Sequence, residues 1–162
     1  MEFSRSLKIQ TTEVPELDEV DVKILRELQH DARVSFKTIA QKVNVSEATI
    51  FVRVKKMQEK GVIRGFTTLV SQAALGKPLT AIILVRANPK VYTGTLEALK
   101  KIDEICEIYD VTGQYYCILK VRVSGTDELG TIIDHLGRVE GIAGTETIVV
   151  LRTVKEDVTT RV

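Results

Sequence analysis

Ser35-Phe36-Lys37-Thr38-Ile39-Ala40-Gln41-Lys42-Val43-Asn44-Val45-Ser46-Glu47-Ala48-Thr49-Ile50 is the stretch whose reading decides the fold. Ser35 has the residue type that caps a helix, because its hydroxyl accepts from free N–H groups of the first turn. Phe36, Ile39, Ala40 and Val43 then recur at helical spacing and mark a short helix with one apolar face. Asn44 tolerates the left-handed conformation that ends a helix. Only Val45 separates it from a second capping residue, Ser46. A third helix is expected from there to Lys60, with Ile50, Val54 and Met57 as its buried face and Gly61 as its stop. Two helices joined by a turn of about three residues have the spacing of a helix-turn-helix.

Upstream, Asp18 caps a first helix over about 18–30, and Asp21 suits the positive end of its dipole. Val20, Ile24, Leu25 and Leu28 form its stripe. Residues 1–16 lack any period and are read as a leader, disordered or pairing with a partner. Downstream, Val62–Val70 is β-branched and reads as a short strand, either a wing or part of a connector. The 162 residues, 44% hydrophobic and 28% charged, have the balance of an ordinary globular protein. Cys106 and Cys117 have no metal-ligand spacing and suggest a reducing compartment, hence a cytoplasmic protein without a zinc site. No apolar run approaches the roughly 20 residues of a membrane span. No signal peptide is read at the start.

Net charge is +1, but its distribution is uneven. Residues 1–31 hold four basic and eight acidic side chains, whereas residues 33–64 hold eight basic and two acidic ones. The basic window coincides with the helix-turn-helix. That is the footprint expected for a polyanion, although a solvated helical face would look similar.

After Gly76-Lys77-Pro78 the pattern changes to strand Leu79–Ala87, helix Tyr92–Ile102, strand Ile105–Thr112 and strand Tyr115–Val123. A helix opened by Ser124-Gly125-Thr126 follows, carrying Leu129, Ile132, Ile133 and Leu136, and then a strand from Ile142 to about Arg152. A doubled βαβ unit of this length makes a four-stranded antiparallel sheet with two helices on one face, the ferredoxin-like arrangement. The other face needs cover, and a second copy provides it, so a homodimer is expected. The fold class is therefore α+β. It comprises a helix-turn-helix domain (17–63), a linker strand (64–78), a ferredoxin-like domain (79–153) and a tail (154–162).

No enzyme signature is present: His30 and His135 stand alone, and no nucleophile elbow, phosphate loop or paired metal-binding histidines occur. The acidic residues Asp103, Glu104, Glu107 and Asp110 read as a solvated rim. In a helix-turn-helix the second helix of the motif presents its N-terminal residues to base edges. Here those are Ser46, Glu47, Ala48, Thr49 and, one turn on, Arg53. Lys37, Lys55 and Lys56, with Arg33 and Lys42, are placed to reach phosphates of double-stranded DNA. Arg53 is expected to point away from the buried face, so that Arg53→Ala weakens DNA binding without touching the fold. In the second half, Gly113-Gln114-Tyr115-Tyr116 offers amide and hydroxyl groups, and Gly125-Thr126-Asp127 opens a helix whose N–H groups suit a carboxylate. Together they could hold a small zwitterion; ordinary turn chemistry is the competing account.

Leu17-Asp18-Glu19-Val20-Asp21-Val22-Lys23-Ile24-Leu25 resembles the opening helix of the leucine-responsive/asparagine-regulator (Lrp/AsnC) family. Val45-Ser46-Glu47-Ala48-Thr49, Arg53-Val54-Lys55-Lys56-Met57 and Gly61-Val62-Ile63-Arg64-Gly65-Phe66 resemble its recognition helix and exit strand. Val111-Thr112-Gly113 resembles its effector-domain hairpin. The resemblance spans about 17–153. It implies a winged-type helix-turn-helix transcription regulator, dimers that assemble to octamers, and an amino-acid effector bound between dimers. Thr147 and Ile148 align with effector-linked positions of relatives. Many members carry arginines where this chain has Phe51 and Val52, and commonly an aspartate where it has Tyr116. Tyr116→Asp is accordingly expected to strengthen amino-acid binding. The alternatives are an amino-acid sensor, or an architectural DNA-binding protein with no effector response.

Overall fold

The computed structural model describes residues 15–157 together with 159 and 160, so most of the leader read over 1–16 lies outside the described residues. The chain divides into two units, one up to Thr68 with the residues from Asp157 onward, the other Leu69–Glu156.

In the first unit, α1 spans Glu19–His30, α2 Phe36–Val43 and α3 Glu47–Glu59. Each start has the expected cap. The Asp18 carboxylate accepts from Asp21 N–H, and the Asp21 carboxylate from Asp18 N–H, a complete capping box. Ser35 accepts from Thr38 N–H and Ser46 from Thr49 N–H. Asn44 sits at φ 56°, ψ 50°, the left-handed stop of α2. Ile24, Ile39 and Ile50, one from each helix, are fully buried together with Val54 and Met57. Burying such a side chain contributes about 1.5–3 kcal/mol, so this small core holds the three helices at fixed angles.

The strand expected over Val62–Val70 does not form; among the described residues no strand precedes Leu79. Val62 and Ile63 pack against the helical core instead, and both of their N–H groups donate to Met57 O, closing the end of α3. Their β-branched character reports packing, with no neighbouring strand to pair with.

The second unit follows the order β1 (Leu79–Ala87), α4 (Tyr92–Leu99), β2 (Ile105–Asp110), β3 (Cys117–Val123), α5 (Thr126–Leu136) and β4 (Ile142–Val149). The sheet order is β2-β3-β1-β4 and every pairing is antiparallel. Alternate residues of β1 and β3, namely Ala81, Ile83, Val85, Leu119, Val121 and Val123, are buried with Leu99 of α4 and with Leu129, Ile132 and Leu136 of α5. Both helices therefore cover one face. The strands and α4 end earlier than the sequence pattern suggests: β2 at Asp110, β4 at Val149, and α4 at Leu99. No helix among the described residues is long and apolar enough to cross a membrane.

Candidate nucleic-acid interface and effector loops

The buried stripe of α3 turns Ser46, Glu47, Ala48, Phe51, Val52, Lys55 and Lys56 to the exterior, where all seven are exposed. Thr49 is half-buried, and its hydroxyl lies 2.8 Å from that of Ser46. The two candidate polar readers are thus already engaged with each other at the helix start. Lys37, Lys56 and Lys60 have no ion pair among the described residues and are exposed. Lys42 bonds Glu27, Arg33 contacts Asp31, and Lys55 lies 3.9 Å from Glu59.

Arg53 departs from expectation. Its guanidinium does not point away from the bundle: Nη1 donates to Asp18 at 2.6 Å and Asp21 at 2.8 Å, with the side chain 30% exposed. The arginine fastens α3 to the capping box of α1, beside a cleft of about 760 Å³ lined by Asp18, Asp21, Thr49, Val52, Arg53 and Lys56. Sequence spacing gave no sign of this contact, since 35 residues separate Arg53 from Asp18.

The N–H of Asp21 and the Arg53 guanidinium hold the Asp18 carboxyl below its usual value of 3.8. A carboxyl depressed in the folded state stabilises above its ordinary value, and that contribution fades as the pH falls through the depressed one. Melting of the native protein followed by far-UV circular dichroism should therefore show a drop in Tm between pH 6 and pH 3. Arg53→Ala should lower Tm at pH 6 and narrow the gap to pH 3; an unchanged gap removes the brace as its cause.

In the sheet unit the hairpin Gly113–Tyr116 and the segment Gly125–Asp127 lie at opposite ends of β3. Seven strand residues at about 3.3 Å each put them roughly 20 Å apart, so a single chain does not bring them together. The hairpin is braced from within. Tyr116 N–H donates to Val85 O at 2.8 Å, and Tyr92 of α4 donates its hydroxyl to Tyr116 O at 2.9 Å. The two tyrosine rings meet edge to face at 5.0 Å. Burial, then the nearby Cys117 thiol and Asp110, push the Tyr92 phenol well above its usual range, so it remains a donor. Tyr115 donates to Glu146 on β4, next to Thr147. Thr147 and Ile148 pair with Ile83 and Ile82 midway along the sheet.

At the start of α5 the chain supplies its own carboxylate: Glu128 accepts from Ser124 N–H and from its hydroxyl, both at 2.6 Å. Those bonds hold its carboxyl low. The sequence reading passed over Glu128, although its place four residues after Ser124 is within reach of a capping contact. A second cleft of about 390 Å³ lies over Thr131, Asp134, His135 and Arg138. Neither cleft is lined by Gly113–Tyr116 or Gly125–Asp127. His30 and His135 are both exposed and far apart in sequence, and Asp103, Glu104, Glu107 and Asp110 spread along the β2 edge, where Glu107 bonds Tyr109 and Lys120.

Residues 17–58 match the AsnC-type helix-turn-helix domain, and residues 80–160 match the Lrp/AsnC ligand binding domain. The HTH-type transcriptional regulator FL11 of Pyrococcus abyssi is 39% identical over 140 residues, which cover 86% of this chain and 93% of FL11. The HTH-type transcriptional regulator Ptr1 of Methanocaldococcus jannaschii is 36% identical over 141 residues, 86% of this chain and 95% of Ptr1. The structure of E. coli AsnC superposes with a TM-score of 0.84 at 32% identity, covering 89% of this chain and 98% of that one. A transcriptional regulator of Neisseria meningitidis, solved as a complex with L-Met, shares the fold at a TM-score of 0.82 and 23% identity, over 91% and 96% of the two chains. These relatives are regulators of transcription and not enzymes. A helix-turn-helix with an exposed, cation-flanked second helix, a four-stranded sheet unit later in the sequence, and these likenesses along nearly the whole length place the chain in the Lrp/AsnC family of DNA-binding transcriptional regulators.

Proposed function

We propose that α3 enters the major groove of double-stranded DNA with Glu47 and Ala48 at base edges and Ser46 and Thr49 shaping the helix start. Lys37 and Lys56, joined by Lys60 at the C-terminal end, take phosphates. One observation carries this reading: the exposed face of α3 is flanked by three cations that no acidic side chain among the described residues neutralises. Arg53 acts at one remove, by holding α3 against α1. Six such cations in a dimer release condensed counterions on binding, so log K should fall against log salt with a slope of about −5. Mobility shifts on the protein's own promoter between 50 and 200 mM salt measure it. A flat dependence removes the phosphate role of these lysines. Such a regulator works where the DNA is, which for this chain we take to be the cytoplasm.

The second unit takes a small molecule of the amino-acid class, with subunits contributing the hairpin and the α5 start from different chains. The roughly 20 Å between these loops within one chain supports an intersubunit site, and the L-Met complex of the Neisseria relative supports a ligand of the amino-acid class. Homodimers formed through the open face of the sheet, assembling to octamers, would supply such interfaces. A thermal-shift screen of the twenty amino acids tests the effector, because a ligand at a hundredfold excess over Kd stabilises the native state by about 2.7 kcal/mol. Silence across the panel favours regulation without an effector. Tyr116→Asp, compared with the wild type by calorimetry, tests the hairpin; it forfeits the ring pair with Tyr92, about 1 kcal/mol.

A further inference from the structure

The reading face of α3 is unusually apolar for a helix facing a polyanion. At 100° per residue, Ala48, Phe51 and Val52 stand at i, i+3 and i+4 and form one contiguous patch opposite Ile50, Val54 and Met57. Phe51 is 56% exposed and Val52 61%. Phe51 is also held in place, its ring meeting that of Phe36 edge to face at 6.4 Å.

Of the polar side chains that usually distinguish bases, this face carries only Lys55, in its third turn and 3.9 Å from Glu59. Guanine is read most often by a bidentate arginine or lysine and adenine by a bidentate asparagine or glutamine. The only arginine of α3 is committed to Asp18 and Asp21. No asparagine or glutamine occurs in α3 before Gln58, in its last turn. Ser46 and Thr49 bond each other. What remains in the first two turns is Glu47 and the apolar patch. In the major groove, the base feature that an apolar side chain matches is the C5-methyl group of thymine. Lys37, Lys55 and Lys56 are all exposed, which suits the patch to a duplex with phosphates on either side.

We propose that Phe51 and Val52, assisted by Ala48, determine sequence specificity by packing on thymine methyl groups. This rests on α3 binding DNA as described above and deepens that reading. Each contacted methyl should contribute about fourfold in affinity, the fold-change corresponding to one buried carbon. A dimer touching one methyl per half-site gains more than tenfold.

The test uses the full-length protein to enrich duplexes from a random-sequence library. The enriched duplex is then prepared twice, once with thymidine and once with deoxyuridine, which pairs identically and lacks only the methyl. Fluorescence anisotropy should show at least tenfold weaker binding to the deoxyuridine duplex. Val52→Ser, at an exposed site where the fold tolerates it, and Phe51→Ala should each shrink that ratio, together to near unity. Equal wild-type affinity for the two duplexes overturns the inference and leaves the DNA-binding reading standing. A ratio that survives both substitutions shows that other residues read the methyls and overturns it too. Failure to retain any duplex overturns both readings.

Discussion

Gly141→Ala should lower the unfolding free energy by about 3 kcal/mol, near the top of the range for a single methyl. Gly141 adopts φ +90°, where an L side chain costs about 1–2 kcal/mol by itself. The added Cβ would also stand 2.3 Å from Thr95 Oγ1 and 2.7 Å from Val91 Cγ2. Neither neighbour can give way cheaply. Thr95 is only 2% exposed, and its hydroxyl is shared between Glu140 O at 2.8 Å and Val91 O at 3.2 Å. The backbone is fixed as well, because Gly141 O accepts from Asn88 N–H at 2.7 Å. Gly113→Ala provides the comparison: its φ is +108°, but open space surrounds the new Cβ, so only the conformational cost applies. Urea titration at a fixed protomer concentration should show a lower midpoint at constant m for both variants, with Gly141→Ala clearly the worse. Equal losses would mean that the Thr95 contact relaxes freely.

Leu84→Asp should turn the homodimer proposed above into a folded monomer, weakening association by at least a hundredfold. The sheet face away from α4 and α5 presents Ile82, Leu84 and Ile118, all half-buried, and Ile148, 49% exposed. The register sets Leu84 beside Ile118 on one side and Glu146 on the other, and Ile82 beside Ile148. The patch is bordered by charges: Lys120 bonds Glu107 and Glu156, and Arg122 donates to Glu156 at 2.9 Å. An apolar centre with a polar rim is the anatomy of a protein interface. A carboxylate at position 84 would have to be desolvated without a partner in a dimer, whereas in a monomer it faces water. Sedimentation velocity at micromolar concentration distinguishes the outcomes, with circular dichroism confirming the fold. A dimer that persists would locate the contact on another surface.

Local signals were legible in the sequence, while contacts between distant positions were not. Asp18, Ser35, Ser46 and Asn44 each do at a helix end what their side chains and backbone preferences dictate, because capping involves neighbours three or four residues away. The apolar runs of β1 and β3 were legible as strands, whereas which alternate residues turn inward is fixed by the register of their pairing. Val62–Val70 misled because β-branched residues favour a pleated, half-buried setting without specifying a partner strand, and here the helical core takes Val62 and Ile63. Arg53 misled for another reason: at 100° per residue it stands about 40° from Met57, beside the buried stripe and not opposite it, and the carboxylates it reaches lie too far away in sequence for spacing to register. The lysines around α3 and the two loops flanking β3 are placed by the fold, and the measurements above test the roles proposed for them.

The commitment of Arg53 to α1 also bears on how this kind of protein diversifies. Within one helix, the residues that keep it seated (Ile50, Arg53, Val54 and Met57) occupy a different stripe from Ala48, Phe51 and Val52, of which Phe51 alone packs on a neighbouring helix, through Phe36. Substitutions in the outer stripe should cost the native state little beyond the Phe36–Phe51 contact, so under the proposed reading gene duplicates can acquire different operators while inheriting an intact scaffold. The same separation suits redesign. A library randomised at positions 48, 51 and 52 should remain almost entirely folded, whereas one that includes position 53 should not.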